Sequence, residues 1–291
     1  MNPKVKWSLL AVGVIASLLT IIMYVGNLGP FEKEVTIVTE EPTDSKEPTT
    51  APKDAKAELE QWVTDLKEEY AVEEKQKSEV DYDYHNIDLI RTYMEQGNLV
   101  AAKEQTEAWY QEYPNSMYLL FTLSDLELQM TGKPDTSIAL LEEFLDRHPR
   151  MPDVHFKLAD LYLAHEDVSK AQAEARTGTG IALADNYPDP EYFLDKYAWI
   201  LYWTEEKEKA KELYEHEIMK SDIQDLIARA ALAVYHYANI LEIEGKASEA
   251  VPLYQAMVDF KETEVSSPNW EDFVFARQQS QEALTHLQPS S

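Results

Sequence analysis

The chain has 291 residues, with 26 basic residues against 54 acidic ones, a formal net charge of -28, and no cysteine. That length allows one sizeable domain with an anchor. The acid surplus excludes the basic footprint that nucleic-acid binding needs, and the missing cysteine excludes disulfides, thiolate zinc sites and thiol nucleophiles. The surplus keeps the chain soluble and would also attract a basic partner.

Residues 1–31 read as a cytoplasmic stub and a transmembrane signal-anchor helix. Lys4 and Lys6 precede a run from Trp7 to Phe31 without a charged residue. As a helix, residues 7–28 are long enough to cross roughly 30 Å of hydrocarbon. Lysines before the run and Glu32 and Glu34 after it place the N-terminus inside. The expectation is a single pass through the cytoplasmic (inner) membrane, with the remainder periplasmic or otherwise extracytoplasmic. A cleaved signal peptide is the competing reading. Against it stand the length of the run, the absence of a nearby small-x-small site and the absence of a lipobox cysteine. Residues 32–56, rich in Pro, Thr, Glu and Lys, hold too few apolar side chains to fold and are expected to be a disordered tether.

Over residues 57–80 the pattern turns helical. Leu59, Trp62, Val63, Leu66 and Tyr70 form one apolar stripe. This amphipathic helix is expected either to cap the first repeat or to pair with a second copy or a partner.

Residues 81–262 carry a repeated pattern of short helix pairs. In the first pair, Leu89, Ile90 and Tyr93 lie on one helix, Gly97-Asn98 makes the turn, Ala102, Thr106 and Trp109 lie on the next, and Pro114 closes the unit. Phe121, Leu128, Gly132, Ser137, Leu141, Phe144 and Pro149 repeat the order, with Ser124-Asp125 replacing a large-small pair. A third unit has Leu158, Ala159, Tyr162, a Glu166-Asp167 turn, Ala171 and Ala175. A fourth has Tyr197, Ala198, Leu201, a Glu205-Glu206 turn, Ala210 and Tyr214. A fifth has Tyr237, Ala238, Leu241, a Gly245-Lys246 turn, Ala250, Tyr254 and Met257. The small residues Ala102, Ser137, Ala171, Ala210 and Ala250 recur every 34 to 40 residues. The last two intervals are stretched, so longer connections or helices are expected near Tyr187 to Pro190 and Lys220 to Asp225. Pro252 is expected to delay or kink its helix. Residues 263–291 supply a C-terminal capping helix, Asn269 to Leu287, and a tail.

This order of residues resembles the tetratricopeptide repeat: a large residue, Leu-small, an aromatic, a turn, Ala, an aromatic and Pro at a period near 34. The resemblance covers Tyr84 to Glu262, about five repeats. It implies an all-α, right-handed solenoid of helical hairpins whose inner groove, lined by the first helix of each repeat, binds a protein or peptide. Mapped onto this chain, it puts Tyr84, Arg91, Phe156, Trp199, Tyr202, Trp203, Tyr235 and Asn239 in that groove. Only Arg91 and Asn239 are of the types that hold a partner's terminal carboxylate, and they fall in distant repeats. The aromatic cluster around Trp199 and Trp203 suits an amphipathic or aromatic-bearing segment. The same two residues, four apart, would also serve as packing between repeats.

No catalytic, cofactor or metal site emerges. His165-Glu166 and His216-Glu217 lack the second histidine of a zinc helix. Asp81, Asp83 and His85 alternate like ligands without a further set. Thr177-Gly178-Thr179-Gly180 has no preceding strand and no Lys-Ser/Thr after it, so it reads as a place where helices approach closely. The layout resembles bacterial envelope-assembly repeat proteins, such as those serving cytochrome c maturation, pilus or secretion machines, or translocon-associated chaperoning. A self-associating structural protein is the rival reading.

Overall fold

The computed structural model describes residues 55–71, 87–204, 206–265 and 270–287. All regular structure among them is helical, in twelve helices: α1 (Ala55–Glu69), α2 (Ile87–Glu95), α3 (Leu99–Glu112), α4 (Met117–Thr131), α5 (Asp135–Arg147), α6 (Pro152–Ala164), α7 (Val168–Ala184), α8 (Pro190–Trp203), α9 (Lys207–Leu213), α10 (Ile223–Ile243), α11 (Ala247–Asp259) and α12 (Trp270–Leu287). Helix α9 runs on into a π-helical segment, Tyr214–Ile218. The transmembrane helix expected over residues 7–28, nearly all of the tether and the Asp81–His85 alternation lie outside the described residues.

The helices pair in chain order, α2 with α3 through α10 with α11, and each pair leans on the next. The reason is visible in the five small residues of the second helices. Ala102, Ser137, Ala171, Ala210 and Ala250 are all fully buried, because a larger side chain there would hold the two helices of a pair apart. Opposite three of them stand Ala159, Ala198 and Ala238, also fully buried. In the second pair, the departure Ser124-Asp125 is met by a polar couple: the Ser137 hydroxyl donates to the Ser124 carbonyl at 2.6 Å. At the first pair Ile90 takes the core place, whereas Leu89 turns outward and is 40% exposed.

The turns follow the sequence signals. Gly97, Gly132 and Gly245 sit at φ of 70°, 66° and 76°, where a glycine meets no Cβ penalty. In the third repeat Glu166 adopts the same left-handed conformation at φ 61°, a costlier solution for a residue with a side chain. Side chains of Asn98, Ser116, Asp167 and Asp222 accept from backbone N–H groups at helix starts, which satisfies donors that the helix leaves open.

The stretched intervals are taken up in three places. Helix α7 has 17 residues, α9 is lengthened by the π-helical segment, and α10 has 21 residues with a non-helical break at Ala230. Pro252 does not delay α11, which begins at Ala247 and runs through it. The lost N–H forfeits one bond, to the carbonyl four residues back in the first turn.

Helix α1 does not sit on the first repeat. It lies against α7 and touches α9, in the middle of the array and on the layer of second helices. Leu59 and Leu66 are buried there. Trp62 stacks on Tyr197 at 5.6 Å and 9°, and Arg176 of α7 donates two bonds to Glu69, at 2.9 and 2.6 Å. The Thr-Gly-Thr-Gly run of α7 explains the site. A Cβ on Gly180 would come within 2.3 Å of the Tyr70 ring, and one on Gly178 within 3.0 Å of Phe156. Two glycines two residues apart, on roughly opposite sides of the helix, thus let α1 approach on one side and α6 on the other. At the far end, α12 packs on α10 and α11, with Ala283 and Leu284 against Leu241 and Tyr254.

Candidate docking face

Helices α4, α6, α8 and α10 form one layer, and α5, α7, α9 and α11 the other. With α1 on the second layer, the free face of the first layer is the side open to a guest. On α8 this face carries Tyr192, Lys196, Trp199 and Trp203, while Leu194, Tyr197, Ala198 and Leu201 point into the core. The equivalent residues on α6 are Asp153, Lys157, Asp160 and Ala164, and on α10 they include His236, Asn239 and Ile243.

The site expected from the resemblance is therefore turned by about one residue. Phe156 and Tyr202 are core residues, 3% and 1% exposed. They back the wall and cannot line it, because the arc buried between neighbouring helices is wider than the family pattern alone implies. Tyr235 is half-buried between Tyr254 and Phe275, and burial pushes its hydroxyl pKa up to about 12. Asn239 is half-buried and hydrogen-bonds with the Tyr254 hydroxyl. Arg91 lies at the opposite end of the array, 3.7 Å from Asp88. Tyr84 is outside the described residues. Trp199 and Trp203 do come together, edge to face at 5.5 Å. Trp199 lies flat on His236 of the next repeat at 4.0 Å, whereas Trp203 is 49% exposed. One tryptophan packs between repeats and the other faces solvent.

Behind Trp199 is a buried polar relay. Asp195, 1% exposed, accepts from the Tyr214 hydroxyl at 2.6 Å and from His236 Nδ1 at 3.0 Å. A buried carboxylate without partners would be costly; here both oxygens are used. Burial, and then the charge of Asp195, pushes the Tyr214 hydroxyl well above its usual range. The relay fixes the plane of the His236 ring, and that ring fixes Trp199.

Lys196 is the centre of the charged part of the face. Its Nζ lies 4.9 Å from the Tyr192 ring and 5.9 Å from that of Phe156. Burial works against its charge, but Tyr192, Asp160, Asp272 and Asp153 outweigh it and raise its pKa. The carboxyls of Asp153, Asp160 and Asp272 are each raised by burial, with Lys196 opposing. Asp160 is open to solvent at its own surface. Asp272, at the start of α12, is among the charges that act on Lys196.

Lys157, Lys196, His236 and Asp272 are absent from the sequence-derived site. A signal existed for three of them, because Lys157, Lys196 and His236 each stand 14 residues before the small residue of their own repeat. Asp272 has no such register. No group of three or more metal-ligating side chains occurs among the described residues. The face offers aromatic surface, fixed charge and hydrogen-bonding groups, which is equipment for holding a ligand.

No curated protein matches the chain. Residues 128–193 match the family model of the tetratricopeptide repeat, a span from the end of α4 to the start of α8. That match supports a tetratricopeptide repeat family over the residues it covers, and helices pair in the same order on either side of them.

Proposed function

We propose that the protein is a non-catalytic, membrane-anchored scaffold that holds a protein or peptide partner on the free face of α6, α8 and α10 during assembly of an envelope complex. The family match supports an interaction scaffold. The observation that carries the location is Trp203, a tryptophan nearly half exposed beside a Trp199 fixed from behind by the His236–Asp195–Tyr214 relay. A rigid aromatic pair anchors a partner at little entropic cost. The membrane reading rests on the uncharged run from Trp7 to Phe31; among the described residues no helix is long and apolar enough to cross a membrane. Cytochrome c maturation, pilus or secretion machinery and translocon-associated chaperoning are the settings that this layout resembles. For self-association through the α1 stripe, the difficulty is that Leu59 and Leu66 are already buried within the chain.

Trp203→Ala tests the reading. A surface truncation of this kind should change stability by no more than about 0.5 kcal/mol, and the loss of a central anchor should lower capture of the partner by about tenfold or more. The measurement is quantitative pull-down from detergent-solubilised membranes, wild type against variant, with a thermal melt of each. Unchanged capture by a folded variant would overturn the proposal.

A further inference from the structure

Three of the large apolar residues that stand exposed share one structural register. Met130, Trp203 and Ile243 are 39%, 49% and 52% exposed, and each lies seven residues before the small residue of its own repeat, Ser137, Ala210 or Ala250. Ala164 holds the same place before Ala171. The last turns of α6, α8 and α10 therefore present Ala164, Trp203 and Ile243 at the same edge of the face, whereas on α4 the residues matching that face, Leu119, Leu123 and Leu126, are buried. Trp203 also meets the edge of Trp199, so the row is continuous with the face already described. Apolar groups recurring in register on an otherwise acidic protein mark a docking strip rather than scattered surface.

Charge decides what would lie on it. Lys157 is committed to Asp125 at 2.5 Å, and His236 to Asp195. That leaves Lys196 among Asp153, Asp160 and Asp272, and neither Asp160 nor Asp272 is within ion-pair distance of a cation among the described residues. The face beside the apolar row thus carries excess negative charge. A second copy of this chain, with its net charge of -28, would bring like charge to it, and so would an anionic lipid surface.

We propose that the occupant is a cationic amphipathic segment of another protein. Its apolar side chains lie along Ala164, Trp203 and Ile243, and a Lys or Arg reaches Asp160 and Asp272. Complementary charge fixes register and speeds encounter, while the apolar row supplies most of the contact area. The inference rests on the docking face proposed above and adds the chemistry of its guest.

The test is selection of random peptides of roughly 15 residues, long enough to cross several helices, from a displayed library on the full-length chain in an uncharged detergent. Retained sequences should combine Lys or Arg with aromatic or aliphatic residues. By fluorescence anisotropy, a retained peptide should lose about tenfold in affinity to Asp160→Asn combined with Asp272→Asn. It should lose about as much to Ile243→Ser, and should weaken as NaCl rises from about 50 to about 500 mM. Circular dichroism of each variant checks the fold, and Asp160→Glu should bind like the wild type. Acidic or uncharged peptides that are lost with Trp203→Ala but not with the aspartate variants would leave the docking face standing and overturn the cationic guest. No retained peptide, or peptides indifferent to every variant including Trp203→Ala, would overturn both.

Discussion

Glu191, in the first turn of α8, joins two repeats through one side chain. It is 7% exposed and accepts from both terminal nitrogens of Arg229, one at 2.7 Å, and from the Ser221 hydroxyl at 3.0 Å. Arg229 also faces Asp189 at 3.6 Å and stands immediately before the break at Ala230. Burial alone would raise the Glu191 pKa; the bonds from Arg229 and Ser221 overcome it, and the value is lowered from 4.5. A carboxyl depressed on folding contributes stability above its unfolded value and loses it as pH falls through the folded one. Glu191→Gln is therefore expected to cost about 1–3 kcal/mol near neutral pH. The gap to wild type should close below pH 4.5, the ordinary value for this group. Urea unfolding of both proteins across that range measures it. Asp153, Asp160 and Asp272 have the opposite sign, since their raised values favour the folded chain on acidification, so only the difference between variant and wild type isolates Glu191. None of this pairing could be read from the sequence: Glu191 and Arg229 are 38 residues apart, in a chain with many carboxylates to choose from.

At the scale of the element, α1 is the informative case. Its apolar stripe is plain in the sequence, and so is the Thr-Gly-Thr-Gly run, yet nothing local says that one seats the other. The contact is made by Tyr70, whose ring occupies the space that a Cβ at Gly180 would need and whose hydroxyl lies 3.2 Å from Thr177 Oγ1. Gly180→Ala should force the ring out and cost about 1–3 kcal/mol, despite the gain in helix propensity that the same change gives elsewhere. Tyr70→Ala in that background should recover part of the loss, since the clash is then gone. A double-mutant cycle by chemical denaturation reads the coupling; additive effects would mean that the two residues do not meet. The kink in α10 is a second case. The long interval before Ala250 announces extra residues, but whether they form a loop, a π-helical segment or a bent helix depends on what they pack against.

At the scale of the whole molecule, α1 covers part of the second-helix layer and leaves the first layer open. The anchor proposed for the run from Trp7 to Phe31 is tested by fractionation. The expected outcome is full-length protein in the membrane fraction, resistant to extraction by salt or carbonate and released by detergent. A soluble chain that begins near residue 30 would show the run to be a cleaved signal. Mass spectrometry of the fractionated protein separates the two.

Helix pairs, turns and most of the core are legible from the sequence alone, because they depend on contacts within some forty residues. Small residues at a fixed interval, glycines at left-handed turns and apolar groups at helical spacing each impose a local solution that the rest of the chain does not override. The exact facing of each helix was not legible in the same way. Phe156 and Tyr202 match the family pattern for the groove, but the width of the buried arc turns them inward and brings Lys196 out. Tertiary structure alone decided the seat of α1 and the relay beneath Trp199, since each joins residues whose separation along the chain leaves no periodic trace.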